Sequence, residues 1–174
     1  PLPIETDCIH VANGTYFLDG HFEPVKEFCH NRLPAAYLPE TGRPVQWLRF
    51  LDDLLEAEDI PALQEFFGYA LLPVTKAQKM LILIGKGSEG KSRVGLVLRS
   101  LLGENMNTGS IQKVETDRFA RADLGYKLLM VDDDLKMEAL SQTHHLKNLV
   151  TLEDRIDIER KGLQSTQGVL YVRF

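Results

Sequence analysis

Three observations make the fold class of this chain an α/β core with a parallel sheet, preceded by a small helical and β appendage. The apolar run Leu81-Ile82-Leu83-Ile84 passes directly into a glycine-rich octapeptide and then into an amphipathic stretch, the order strand, loop, helix. A second apolar run, Leu128-Leu129-Met130-Val131, ends in Asp132-Asp133-Asp134. Upstream of both, turn signals and then helical apolar spacing fill the first 73 residues.

Taken in order, residues 1–43 read as a short β-meander and an irregular, proline-dotted linker, because Asn13-Gly14 and Asp19-Gly20 bracket Thr15-Tyr16-Phe17-Leu18. Residues 44–73 read as a helical cap. Pro44 opens a first helix with Val45, Leu48, Leu51 and Leu55 on one face, and Asp59 with Pro61 opens a second that ends before Pro73. Residues 74–174 read as the core. Its first strand is Met80 to Ile84, and its first helix runs from Lys91 to Leu102 with Val94, Val97, Leu98 and Leu101 buried and Gly103 as its stop. A short helix is expected around Val114 to Ala122, then the strand ending at Val131. The stretch Arg155-Ile156-Asp157-Ile158-Glu159-Arg160-Lys161-Gly162 alternates polar and apolar and then breaks, which predicts a hairpin with Lys161 at its tip.

The octapeptide Gly85-Lys86-Gly87-Ser88-Glu89-Gly90-Lys91-Ser92 fits the phosphate-binding pattern G-x-x-x-x-G-K-[ST] at every specified position. Glycines allow backbone N–H groups to close around phosphate oxygens, Lys91 neutralises the β- and γ-phosphates, and the Ser92 hydroxyl is placed to ligate Mg²⁺. ATP with Mg²⁺ is therefore the expected cofactor pair. An acidic residue at the carboxyl end of a strand downstream of such a loop holds the metal and orients the attacking water, the roles expected of Asp132 and Asp133. Strand alternation argues against all three aspartates serving one site, and a solvated acidic turn is the plainer alternative for the run. Arg160 and Lys161 at the hairpin tip are candidates for contacts to the phosphates of DNA, against the alternative of a solvated turn. His144-His145 reads as an exposed helix surface.

Composition limits the rest. A chain of 174 residues, 44% of them hydrophobic, can bury one sizeable core. A formal net charge of −5 argues against wholesale coating by nucleic acid and leaves room for a local basic strip. Cys8 and Cys29 form no CxxC pair; with His10 and His30 they make a loose scatter without the regular ligand spacing of structural zinc, so they read as reduced thiols. The absence of a long apolar stretch and of a signal-peptide pattern gives the expectation of a soluble, intracellular protein. The missing initiator methionine and the end inside Val169-Leu170-Tyr171-Val172-Arg173-Phe174 give the expectation of a piece of a longer chain, its core cut short at the C-terminal end.

The order of these parts resembles the helicase domain of superfamily 3, in the phage and plasmid primase-helicase family related to poxvirus and satellite-phage primases. The likeness rests on the loop GKGSEGKS, the compact separation of Lys91 from Asp132, and the stretch Leu146 to Ile156 before the hairpin. Val11-Ala12-Asn13-Gly14 and the segment Leu63 to Leu71 are similar to what precedes the ATPase core in that family. The sequence departs from the family at Glu89, where asparagine is common, and at Leu152-Glu153, where small residues are common.

The resemblance implies an AAA+-like P-loop core and an ATP-driven DNA helicase in the replication of a phage, plasmid or other mobile element. It implies a ring, as a homo-hexamer, with hairpins lining a channel for single-stranded DNA. It also implies cytoplasmic localisation in a bacterial host, a possible primase domain in the same chain, and a sensor asparagine and arginine finger beyond Phe174. A reading from another class stays open, a nucleotide-gated assembly or binding module without unwinding activity. A P-loop kinase or GTPase fits less well, since there is no N-K-x-D tetrapeptide and no arginine-rich lid.

Overall fold

The computed structural model describes residues 3–174 apart from Gly87, Ser88, Gln142 and Glu153. It begins with an antiparallel meander of β1 (Cys8–Val11), β2 (Gly14–Phe17) and β3 (Phe22–Glu23), with β2 in the middle. Val11 pairs with Gly14, so Ala12 and Asn13 form the two-residue turn. Gly14 is required by space, because a Cβ there would lie 2.1 Å from the carbonyl oxygen of Glu23 on β3.

The linker that follows is stitched down. Leu33 N–H donates to His10 O and Ala12 N–H to Ala35 O, each at 2.8 Å, and the Asn13 amide exchanges two hydrogen bonds with the backbone of Tyr37. Further on it ties to the core, with Asn31 donating to Asn105 and to Tyr126 O, Tyr171 donating to Asn31, and the His30 ring stacking on Tyr126.

Helix α1 (Val45–Leu54) follows Pro44, and α2 (Ile60–Ala70) follows Asp59 with Pro61 in its first turn, as the breakers predict. The buried face of α1 differs from the expected one. Trp47, Phe50, Leu51 and Leu54 face the core, whereas Val45 is 52% exposed. The two spacings are both helical, and the face carrying the aromatic rings removes more apolar surface from water. Helix α2 buries Leu63, Phe66 and Ala70.

The assigned parallel ladder is two strands wide: β4 (Met106–Thr108) beside β5 (Leu129–Val131). Arg173 continues it, its N–H donating to Leu128 O and its carbonyl accepting from Met130 N–H. On the far side of that segment, Leu81 N–H donates to Phe174 O at 2.9 Å. The expected strand Met80 to Ile84 is thus extended but makes no regular ladder, because Ile82 and Ile84 stand out in solvent and the alignment printed by its backbone reaches a partner only at Leu81.

The two faces of this sheet bury different cores. Leu129 and Tyr171 join Val11, Leu33, Leu51, Leu63 and Phe66 with α3 (Lys91–Leu102), which contributes Val94, Leu98 and Leu102. Met130, Leu170, Val172 and Phe174 face the opposite cluster, formed with α4 (Ile111–Thr116), α6 (His144–Val150) and the hairpin. Adjacent residues therefore serve opposite layers, the two-residue period of an extended chain. Val97, expected inside, is 39% exposed on α3.

The helix expected around Val114 to Ala122 is two helices, α4 and α5 (Arg118–Ala122). Asp117 divides them, because its carboxylate accepts from Phe119 N–H at 2.8 Å and caps the second. The predicted hairpin is present as β6 (Ile156–Ile158) and β7 (Thr166–Gly168), antiparallel, with Ile158 paired to Thr166. Arg173 is 1% exposed; its guanidinium donates to Leu128 O and Tyr171 O and lies 4.4 Å over the Tyr69 ring. Burial lowers its pKa to about 10. Among the described residues no helix is long and apolar enough to cross a membrane.

Candidate nucleotide site and hairpin

The backbone turns from the extended stretch 80–84 into α3 through Gly90, which holds φ +97° as the residue before the helix. Only glycine takes that conformation without strain, and a Cβ there would also press to 3.3 Å on the Phe50 ring of α1. The turn brings Lys91 to the first position of a twelve-residue helix, beside backbone N–H groups that a helix start leaves free for an anion. Lys91 Nζ folds back over the loop, donating to Lys86 O at 2.7 Å and lying 3.5 Å from a Glu89 carboxylate oxygen. Gly85 lies beneath them, where a Cβ would meet Glu89 at 2.3 Å. Gly87 and Ser88, expected in the same loop, lie outside the described residues.

The acidic run sits opposite. Asp132 follows the last residue of β5, and its carboxylate accepts from Ile111 N–H at 2.8 Å and from Asp134 N–H at 3.2 Å. Asp132 thus also anchors the start of α4, while Asp133 and Asp134 are exposed in a turn. A cavity of about 370 Å³ lies between the two groups, lined by Gly85, Lys91 and Ser92 on one side and by Asp132, Asp133 and Asp134 on the other, with Phe174 and Leu98 among its apolar walls. All three aspartates border it, contrary to the alternation argument. The reason is local: the strand has ended at Val131, so the period of two no longer separates their side chains.

The loop stretch and β5 stand on either side of the segment ending at Phe174, so they are two strand spacings apart, about 10 Å. That gap suits a triphosphate with a metal ion between a lysine and carboxylates. The walls supply the rest: apolar side chains that exclude water strengthen each charge interaction inside.

Residues 83–174 match the family of unknown function DUF5906, which spans the loop, the acidic run and the hairpin. The chain belongs to this family. A search of curated proteins gave no match.

Within the family segment, the hairpin projects from α5. Arg118 pairs with Glu159 at 2.9 Å, and the Arg160 guanidinium lies beside Gly125, where a Cβ would come within 3.4 Å of it. Arg160 and Lys161 are both exposed, Lys161 at the turn itself. His144 is exposed and His145 half-buried at the start of α6, as expected. Their helix is held by Glu115 of α4, whose carboxylate accepts from His145 N–H at 3.0 Å and Leu146 N–H at 2.9 Å. Burial pushes the Glu115 pKa up, but these two donors outweigh it and hold the carboxyl below its ordinary range.

One grouping escaped the sequence. Outside the family segment, Glu5, Cys8 and His10 converge, their ligand atoms all within 4.8 Å of one another. Cys8 and His10 share a face of β1 at spacing i, i+2, which was readable, whereas Glu5 joins them through a bend before the strand. Burial and the surrounding Glu5, Asp7, Cys29 and Glu27 push the Cys8 thiol up to about 11.

Proposed function

We propose that this chain carries the ATP-binding core of a ring-forming DNA helicase of AAA+-like type, acting in replication of a phage, plasmid or other mobile element. What supports the reading most is the cavity that Lys91 and Ser92 share with Asp132 to Asp134, residues far apart in sequence and of the types that phosphoryl transfer from ATP requires. In this reading the backbone of residues 86–91 and Lys91 hold the β- and γ-phosphates. Ser92 and Asp132 bind Mg²⁺, and Asp133 orients the water. Transfer to water is then a matter of positioning and charge, with little covalent work for the protein.

The hairpin supplies the DNA contact. Lys161 stands in solvent at the tip, and Arg160 beside it adds a second charge for phosphate oxygens. Such contacts read no bases, which suits a motor that must pass every sequence.

The test is anisotropy of fluorescent single-stranded oligonucleotides with the chain, with and without ATP and Mg²⁺. Binding that weakens steeply with salt, and that Lys161→Ala weakens to the same degree on unrelated sequences, is the expected result. ATP binding with indifference to DNA would reject the helicase reading and leave the nucleotide-gated assembly module.

A further inference from the structure

We propose that Glu5, Cys8, His10 and Cys29 form a binding site for one zinc-like divalent cation that clips the N-terminal meander to the linker and the core. The hydrogen-bond pattern around His10 is the first support. The Thr15 hydroxyl donates to Val25 O at 3.4 Å, so its oxygen accepts from His10 Nδ1–H at 3.1 Å. Fixing the proton on Nδ1 leaves the Nε2 lone pair facing outward, the arrangement in which a metal-ligating histidine is held. That Nε2 lies 2.7 Å from a Glu5 carboxylate oxygen and 3.8 Å from Cys8 Sγ. Three electron-rich atoms thus converge with their lone pairs toward one point, and a cation there resolves the repulsion.

The spacing fits the metal. Zn–S and Zn–N bonds of about 2.3 and 2.05 Å at a tetrahedral angle put sulfur and nitrogen about 3.6 Å apart. Cys8 and His10 are 0.2 Å from that separation. Glu5 sits closer than a shared ion allows, but its side chain is 41% exposed and free to open. Zinc takes four ligands, and Cys29 lies on the wall of the same small cavity of about 20 Å³, room for a single ion. His30 is disfavoured, since its ring is stacked on Tyr126 at 4.1 Å. Leu71 and Tyr171 complete the wall, so a cation here would fasten β1 and the linker against α2 and the last strand segment. Two thiolates give the site its preference for a soft ion over Mg²⁺.

The experiment is titration of the reduced, chelator-stripped chain with Co²⁺, followed by absorption. One equivalent should produce a thiolate-to-cobalt charge-transfer band with intense visible bands of tetrahedral cobalt, and one equivalent of Zn²⁺ should erase them. Cys8→Ser should abolish the charge-transfer band, Cys29→Ser should roughly halve it, and Glu5→Gln, on an exposed side chain, should weaken Co²⁺ binding about tenfold or more. Far-UV circular dichroism checks that each variant is folded. If Cys8→Ser fails to fold, Cys29→Ser and Glu5→Gln decide. No charge-transfer band with folded wild-type protein would overturn the proposal, as would a band unchanged in both of those variants. Cobalt bound without thiolate bands would overturn it too, assigning the ion to carboxylates such as Asp132 to Asp134.

Discussion

Glu89 competes with nucleotide for Lys91. Its carboxylate lies 3.5 Å from Nζ where the phosphates of ATP are expected, so Glu89→Gln should raise ATP affinity a few-fold, the worth of a half-exposed ion pair at under about 1 kcal/mol. Calorimetry on the two proteins reads this directly, and weaker binding by the variant would mean that Glu89 shapes the loop instead. Glu115 makes a second residue-scale case. Its folded pKa is held below the ordinary value of 4.5, so the unfolded chain binds more protons near that pH. The stabilisation is present above about 4.5 and is lost as pH falls through the lowered folded value. Glu115→Gln should cost about 1 kcal/mol at pH 7, like the loss of a helix cap, and the difference should shrink as the buffer is taken below pH 4.5. Urea melts across that range check it, and a deficit that persists at low pH would assign the effect to packing.

Among the elements, the loop-to-helix junction was readable and the small strands were not. Phosphate binding demands glycine at set positions, and Gly90 takes the left-handed backbone that makes this demand physical. Gly90→Ala should therefore destabilise by about 1–2 kcal/mol and also lower nucleotide affinity, since α3 can no longer start in the same place. A fully stable variant with unchanged affinity would contradict this. The stretch 80–84 was expected as a full strand from its apolar run alone, but whether a strand gains a ladder depends on which partner reaches it, and only Leu81 is met. Similarly, α1 offered two helical stripes, and the aromatic content of Trp47 and Phe50 decided between them. Asp117 cut a helix that periodicity alone had joined. At the hairpin, alternation and a terminating glycine were sufficient signals.

For the whole molecule, the first 43 residues, the helices after Pro44 and the core meet in one cluster, with Leu33, Leu51 and Leu129 all buried in it. Leu33 comes from an irregular linker that sequence patterning marks only as proline-dotted, so its 2% exposure was not legible. Leu33→Ala should cost about 2–5 kcal/mol and lower a single unfolding transition shared by all parts of the chain. Two separated transitions would show that the meander melts by itself. The same unity bears on the cavity, whose loop is buttressed by Phe50 of α1 and whose acidic wall is anchored through Ile111 of α4. The central claim is that this cavity binds ATP with Mg²⁺ through Lys91, and calorimetric titration of the wild-type chain and Lys91→Ala tests it most directly. The account predicts saturable ATP·Mg²⁺ binding by the wild type and at least a tenfold weaker affinity in the variant, a loss of about 1.4 kcal/mol, with unchanged circular dichroism. Equal affinities in the two proteins, or no binding by the folded wild type, would contradict it.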